Sequence, residues 1–359
     1  MQEFAITLLL AAHLLAMNVA SAGPLVGAWL MGRRGGGEDG GRELGRRVVR
    51  LSLAALVVGS LLGGGLMLAP NPALRAALGR FPEDAYWFAG LELLFSAGCI
   101  GVLMIGAWPP RFRRLALGVA LLSASNLLYH FPPLMAVIGE LTANPRWATD
   151  EFIDRDALLK LWWRPEILSL WAHFALASWA VASIAALRPW SRPDSYDASP
   201  TDPAIVRRLG MWALAATVLQ IPVGLWLLAS TGAEARESML GSNLLASLCF
   251  AGGVLAALGL MQTLLAIALG AHGAVRGAGC LLLVVTVLMS ATLRMSRTAT
   301  PEPAQRSNVD ASPPSTEEVR LEGLTYIYFA VSSFASSFGS FLDSSRSPPG
   351  SLPSLISSP

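Results

Sequence analysis

The sequence predicts an all-α protein, a polytopic membrane helix bundle of about eight transmembrane helices. Three observations lead there. Of 359 residues, 53% are hydrophobic and only 14% charged, with mean hydropathy +0.53, a balance that a water-soluble domain could not hide. Apolar runs recur through residues 1–295, each long enough at ~1.5 Å per residue to cross a ~30 Å hydrocarbon core. The basic residues, finally, alternate between loops as they do in multi-pass proteins.

The runs, in order, are Phe4 to Met31, Leu51 to Ala69, Trp87 to Trp108, Leu115 to Leu141, Glu166 to Leu187, Gly210 to Ser230, Leu244 to Gly270 and Ala278 to Met295. The first is long, and tilt together with Gly23-Pro24 absorbs the excess. Its Ala20-Ser21-Ala22 resembles a signal cleavage site, but Met1-Gln2-Glu3 carries no basic region and the apolar run continues to Met31, so a retained helix is expected. The fourth contains Tyr129-His130-Phe131-Pro132-Pro133; the two prolines free the carbonyls of Leu128 and Tyr129, which predicts a kink or break beside the histidine.

Loops after the odd-numbered spans hold fourteen arginines, from Arg33 to Arg276, against seven basic residues after the even-numbered spans, from Arg75 to Arg236. The expected topology puts the amino terminus and the even loops outside a cell (inner) membrane. Between spans four and five, Asp150 to Pro165 mixes charge with Leu158, Leu159, Leu161, Trp162 and Trp163 and reads as an amphipathic surface helix. Gly35-Gly36-Gly37 and Gly40-Gly41 read as a charged flexible loop, and Gly63-Gly64-Gly65 as a close-packing patch inside a helix. Residues 296–359 turn abruptly to serine and proline and read as a disordered tail, with one weakly apolar stretch at 324–342.

The chemistry sits in the histidines. His13, His130 and His173 fall inside spans, and counting from the nearer helix ends at ~1.5 Å per residue puts them roughly 10 to 16 Å below the outer face. An ionisable ring in hydrocarbon is costly and marks a functional position by default. Haem iron is the first candidate for such rings, with His13 and His173 as axial ligands, His130 as an alternative, and Met17, one turn beyond His13, as a thioether donor. Arg294 could fork onto a haem propionate or reach up to the interface, and Glu92 could handle protons. Asn126, Gln220 and Gln262 fit interhelical hydrogen bonds, and His272 falls in a short loop on the inner side.

Cys99, Cys249 and Cys280 lack metal-ligand spacing, and no glycine-rich phosphate loop or nucleophile set occurs. A net charge of +2 gives no case for nucleic acid. The segments Ala11-Ala12-His13-Leu14-Leu15-Ala16-Met17-Asn18 and Arg164-Pro165-Glu166-Ile167-Leu168-Ser169-Leu170-Trp171-Ala172-His173-Phe174-Ala175 resemble the haem-bearing helices of b-type membrane cytochromes, and most of all the large subunit of cytochrome bd-type oxidases. That resemblance implies haem b near the outer face and electron transfer within a respiratory-type complex. The family's glycine-arginine-glutamine-proline-tryptophan signature is missing, so quinol oxidase activity is not implied. Two classes of function follow. One is a b-type haem electron-transfer subunit, partnered by the lipid bilayer and other redox subunits. The other is a non-haem transporter or structural subunit whose histidines bond between helices.

Overall fold

The computed structural model describes residues 2–33, 38–106, 108, 112–191 and 203–297. Among them the chain is helical throughout, without a strand, and eight helices are long and apolar enough to cross a membrane. This is the architecture of an integral membrane protein. The spanning helices are α1 (Gln2–Met31), α2 (Glu38–Met67), α4 (Glu83–Ile105), α5 (Arg113–Ala143), α7 (Pro165–Ala186), α8 (Pro203–Ser230), α10 (Leu244–Ala268) and α11 (Val275–Arg297). Between them lie α3 (Pro72–Leu78), α6 (Arg155–Trp162) and α9 (Ala233–Glu237).

All eight expected spans are present, and two differ in a way that matters. α2 begins at Glu38, well before its apolar run, so Gly40 and Gly41 belong to a helix and not to a flexible loop; residues 34–37 lie outside the described set. The early part of α2 is held by an apolar stripe at helical spacing, Leu44, Val48 and Val49, all buried. α5 runs unbroken through Pro132 and Pro133, against the expected break. The reason is visible at the carbonyl that Pro132 leaves without a helical partner: Leu128 O accepts the indole N–H of Trp171 at 2.9 Å.

In lipid, apolar side chains gain nothing by leaving one hydrocarbon for another, so helix association depends on close contact and interhelical polar bonds. The α1–α2 pair illustrates the first. A Cβ on Gly45 would stand 2.6 Å from the Gly27 carbonyl oxygen, and one on Gly27 would stand 2.9 Å from the Gly45 carbonyl. Only glycine lets these two backbones approach so closely. Large apolar side chains elsewhere, among them Phe88, Leu91, Phe95, Leu255 and Leu283, remain exposed on the flanks, where lipid would cover them.

α1 starts where α11 finishes: Arg294 Nη2 pairs with Glu3 Oε2 at 2.5 Å and Nη1 donates to Glu3 O at 3.2 Å. With eight alternating spans, that end also carries α3, α6 and α9, and it is called the capped end below. Its cap has a core of its own, in which Leu78, Phe81, Ile153, Ala157 and Leu161 pack on Val137 and Leu141 of α5. Arg80 ties it together, donating to Pro145 O at 2.8 Å, Ala148 O at 3.1 Å, Glu151 O at 3.2 Å and Asp150 O. Arg164 stacks over the Trp147 ring at 4.4 Å and donates to its carbonyl at 2.9 Å. Asp154 caps α6 by accepting from Ala157 N at 2.8 Å, and α6 has the amphipathic character expected of it.

At the opposite end Trp29, Trp179 and Trp212 cluster, with ring centroids 4.4 Å apart for Trp29–Trp212 and 5.4 Å for Trp179–Trp212. Arg33 and Arg208 lie over Trp29 at 5.3 and 5.8 Å.

Candidate functional site

α1 and α7 run parallel and touch through Asn18 and Ser178, whose hydroxyl donates to Asn18 Oδ1 at 2.7 Å. His13 and His173 each lie five residues closer to the capped end than this pair, so the two imidazoles share a level. Five residues also turn a side chain by about 140° at 3.6 residues per turn. Each ring therefore points away from the α1–α7 seam.

His13 faces α2. Its Nδ1 lies 2.7 Å from the Gly59 carbonyl oxygen, and a Cβ on Gly63 would stand 2.8 Å from its Cε1. A carbonyl only accepts, so Nδ1 carries the proton and Nε2 of the neutral ring keeps its lone pair. Among the described residues nothing hydrogen-bonds to that Nε2. A bonded Nδ1 with a free Nε2 is the arrangement by which proteins orient metal-binding imidazoles. Met17 also faces α2, with its sulfur 2.7 Å from where a Gly59 Cβ would stand. It lies beside His13 on one helix face and not across from it.

His173 faces α8. Its ring approaches a Cβ position on Gly224 at 4.0 Å, Gln220 Nε2 donates to its backbone carbonyl at 3.4 Å, and its Nδ1 is buried without a partner among the described residues. The expectation that His13 and His173 clamp one iron meets this difference in facing: same level, different helix pairs.

His130 belongs elsewhere. It lies on the α4–α5 flank, Nε2 3.6 Å from Glu92 Oε1, with side chains 43% and 26% exposed, so neither is enclosed. Beneath them Asn126 Nδ2 donates to Glu92 O and to Ser96 Oγ, both at 2.9 Å. Asn126 is thus the interhelical donor anticipated from sequence. Arg294, considered as a propionate partner, is held by Glu3.

Gly63, whose missing side chain leaves room for the His13 ring, and Gly59, whose carbonyl bonds that ring, were not singled out as site residues from sequence; their four-residue spacing, on the α2 face one would align with α1, was the available signal. Among the described residues, no three histidine, cysteine, aspartate or glutamate side chains converge to hold a metal ion. A bare-ion site of protein ligands is therefore not formed there, whereas a macrocycle that brings its own equatorial donors asks only for single axial ligands. No protein-family model matches the chain, and neither a curated protein nor a solved structure matches it.

Proposed function

We propose that this integral membrane protein is an electron-transfer subunit in which His13 and His173 each act as axial ligand to a b-type haem near the capped end. The observation that carries the reading is the His13 Nδ1–Gly59 contact at 2.7 Å, which leaves Nε2 unprotonated and oriented. His173 adds a half-buried ring whose Nδ1 is enclosed without a partner among the described residues, 4.0 Å from the position a Gly224 Cβ would take. Because the rings face different helices, each would serve its own iron. Met17, His130 and Arg294 have other contacts and leave the ligand set.

Haem, when bound, supplies one-electron transfer. The chain's part is to orient the imidazoles, exclude water from their apolar surroundings and set the local dielectric. The arginine asymmetry supports placing the capped end outside the cell membrane, with other redox subunits as partners.

The test is a dithionite-reduced minus oxidised visible spectrum of the protein purified in mild detergent, with a pyridine haemochrome assay. A b-type spectrum supports the reading. Folded protein that stays colourless after haem supplementation overturns it and favours a second reading, a transporter or structural subunit. The bonds of His13 to α2 and of Asn126 to α4 are the observations on that side, since they act as interhelical glue with or without a cofactor.

A further inference from the structure

Ionisable side chains inside a hydrocarbon layer almost always face the interior of a bundle, because lipid tails solvate them poorly. Glu92 and His130 depart from that pattern. Glu92 lies nine residues into α4, roughly 14 Å along the helix, and its carboxylate goes to His130 Nε2 of α5. The 3.6 Å between them is too long for a good hydrogen bond, so each keeps unused bonding capacity. Both remain part exposed.

The surroundings of the pair have a regular form. On α4, Phe88, Phe95 and Val102 are exposed at seven-residue spacing, and on α5 so are Leu115, Leu122 and Tyr129. Seven residues fall about 20° short of two turns, so each set makes a nearly straight stripe. The stripes lie about 40° to 100° around their helices from Glu92 and His130 respectively, on the same side of the antiparallel α4–α5 seam. The other side of α5, with Ala116, Ala120, Ala124 and Leu127, is buried in the bundle. Two apolar ridges thus flank a groove that holds an acid and a base, on the outside of the bundle. In a single chain that groove faces lipid.

We propose that this flank docks a second copy of the chain, about a two-fold axis along the membrane normal that passes beside Glu92 and His130. A two-fold interface requires one patch to complement itself. The pair meets that requirement, since a half-turn about an axis beside it brings Glu92 of each copy to the partner's His130 at the same depth. A foreign helix would have to supply its own acid and base at that level. Four helices, two from each copy, then enclose all four polar groups, with the stripes packed around them. The interface does not depend on haem being bound.

The test is energy transfer in lipid vesicles between copies carrying donor or acceptor dye at Gly273→Cys, a loop position with nothing within 4 Å of its Cβ, with Cys99, Cys249 and Cys280 replaced by alanine. Transfer well above random encounter is expected to persist as lipid is added. Glu92→Leu removes two symmetry-related contacts per dimer, so the dilution needed to halve the transfer should fall about tenfold. Placement is read by a short bis-maleimide, which should join copies carrying Phe95→Cys and not copies carrying Leu255→Cys, exposed on α10. Transfer at the random level with Glu92 in place overturns the proposal whether or not the leucine variant folds, and leaves the flank to lipid or a foreign subunit. A dimer indifferent to Glu92→Leu, or one joined as readily through position 255, also overturns it.

Discussion

Gly63→Ala puts the His13 geometry to a quantitative test. The added methyl would stand 2.8 Å from His13 Cε1 and 3.1 Å from Nδ1. Carbon atoms settle at ~3.5 to 4.0 Å, so the ring must retreat by roughly 0.7 Å. A retreat of that size stretches the 2.7 Å Nδ1–Gly59 contact to about 3.4 Å, past the useful hydrogen-bond range. Overpacking costs roughly 1 to 3 kcal/mol. The lost interhelical hydrogen bond adds about 0.6 to 1.7 kcal/mol. Better helix propensity returns up to ~1 kcal/mol. The net expectation is a destabilisation of about 2 kcal/mol. Unfolding in mixed micelles of increasing SDS fraction, followed by circular dichroism, measures it. Gly98→Ala and Gly101→Ala on α4 are controls, since nothing lies within 4 Å of either Cβ position, and neither should lose stability. In a His13→Ala background the Gly63→Ala penalty should vanish, because the two residues are coupled only through the ring. A Gly63→Ala protein as stable as the Gly98→Ala control, or an undiminished penalty without His13, would refute this placement of the imidazole.

Three further outcomes are expected. Gly45→Ala forces a methyl to within 2.6 Å of a backbone carbonyl that cannot move aside, so it should cost more than Gly41→Ala, whose nearest neighbour is the Ile205 side chain at 3.5 Å; the same SDS titration ranks them. Trp171→Phe should cost about 1 to 3 kcal/mol by orphaning Leu128 O, and Pro132→Ala in the same protein should recover much of it by returning a backbone N–H to that carbonyl. Arg80→Met removes a guanidinium that donates to four carbonyls, so limited proteolysis should cut between Asn144 and Asp154 in the variant under conditions that leave the parent intact.

The spans were legible because hydrocarbon thickness imposes a length, and length can be counted along a sequence. What hid the start of α2 is that Glu38 to Arg50 is charged, and a helix that lies partly outside the apolar layer carries its signal in the spacing of Leu44, Val48 and Val49 instead. The level of His13 and His173 was likewise legible, since rise per residue is fixed. Their facing was not: azimuth depends on which neighbour each helix packs against, and that was set by Gly27 against Gly45 and by Asn18 against Ser178. Pro132 and Pro133 promised a break by local rules, and a tertiary donor seven positions into α7, Trp171, overrode them. Arg80 gave no signal at all, because its partners are backbone carbonyls more than sixty residues away.

Haem content in His13→Ala, His173→Ala and the double variant, read by pyridine haemochrome on folded, monodisperse protein, tests the central claim most directly. Separate ligation predicts that each single variant keeps a residual b-type signal and that only the double variant loses it all. A double variant with undiminished haem, or a single variant that abolishes the whole signal while remaining folded, would contradict it.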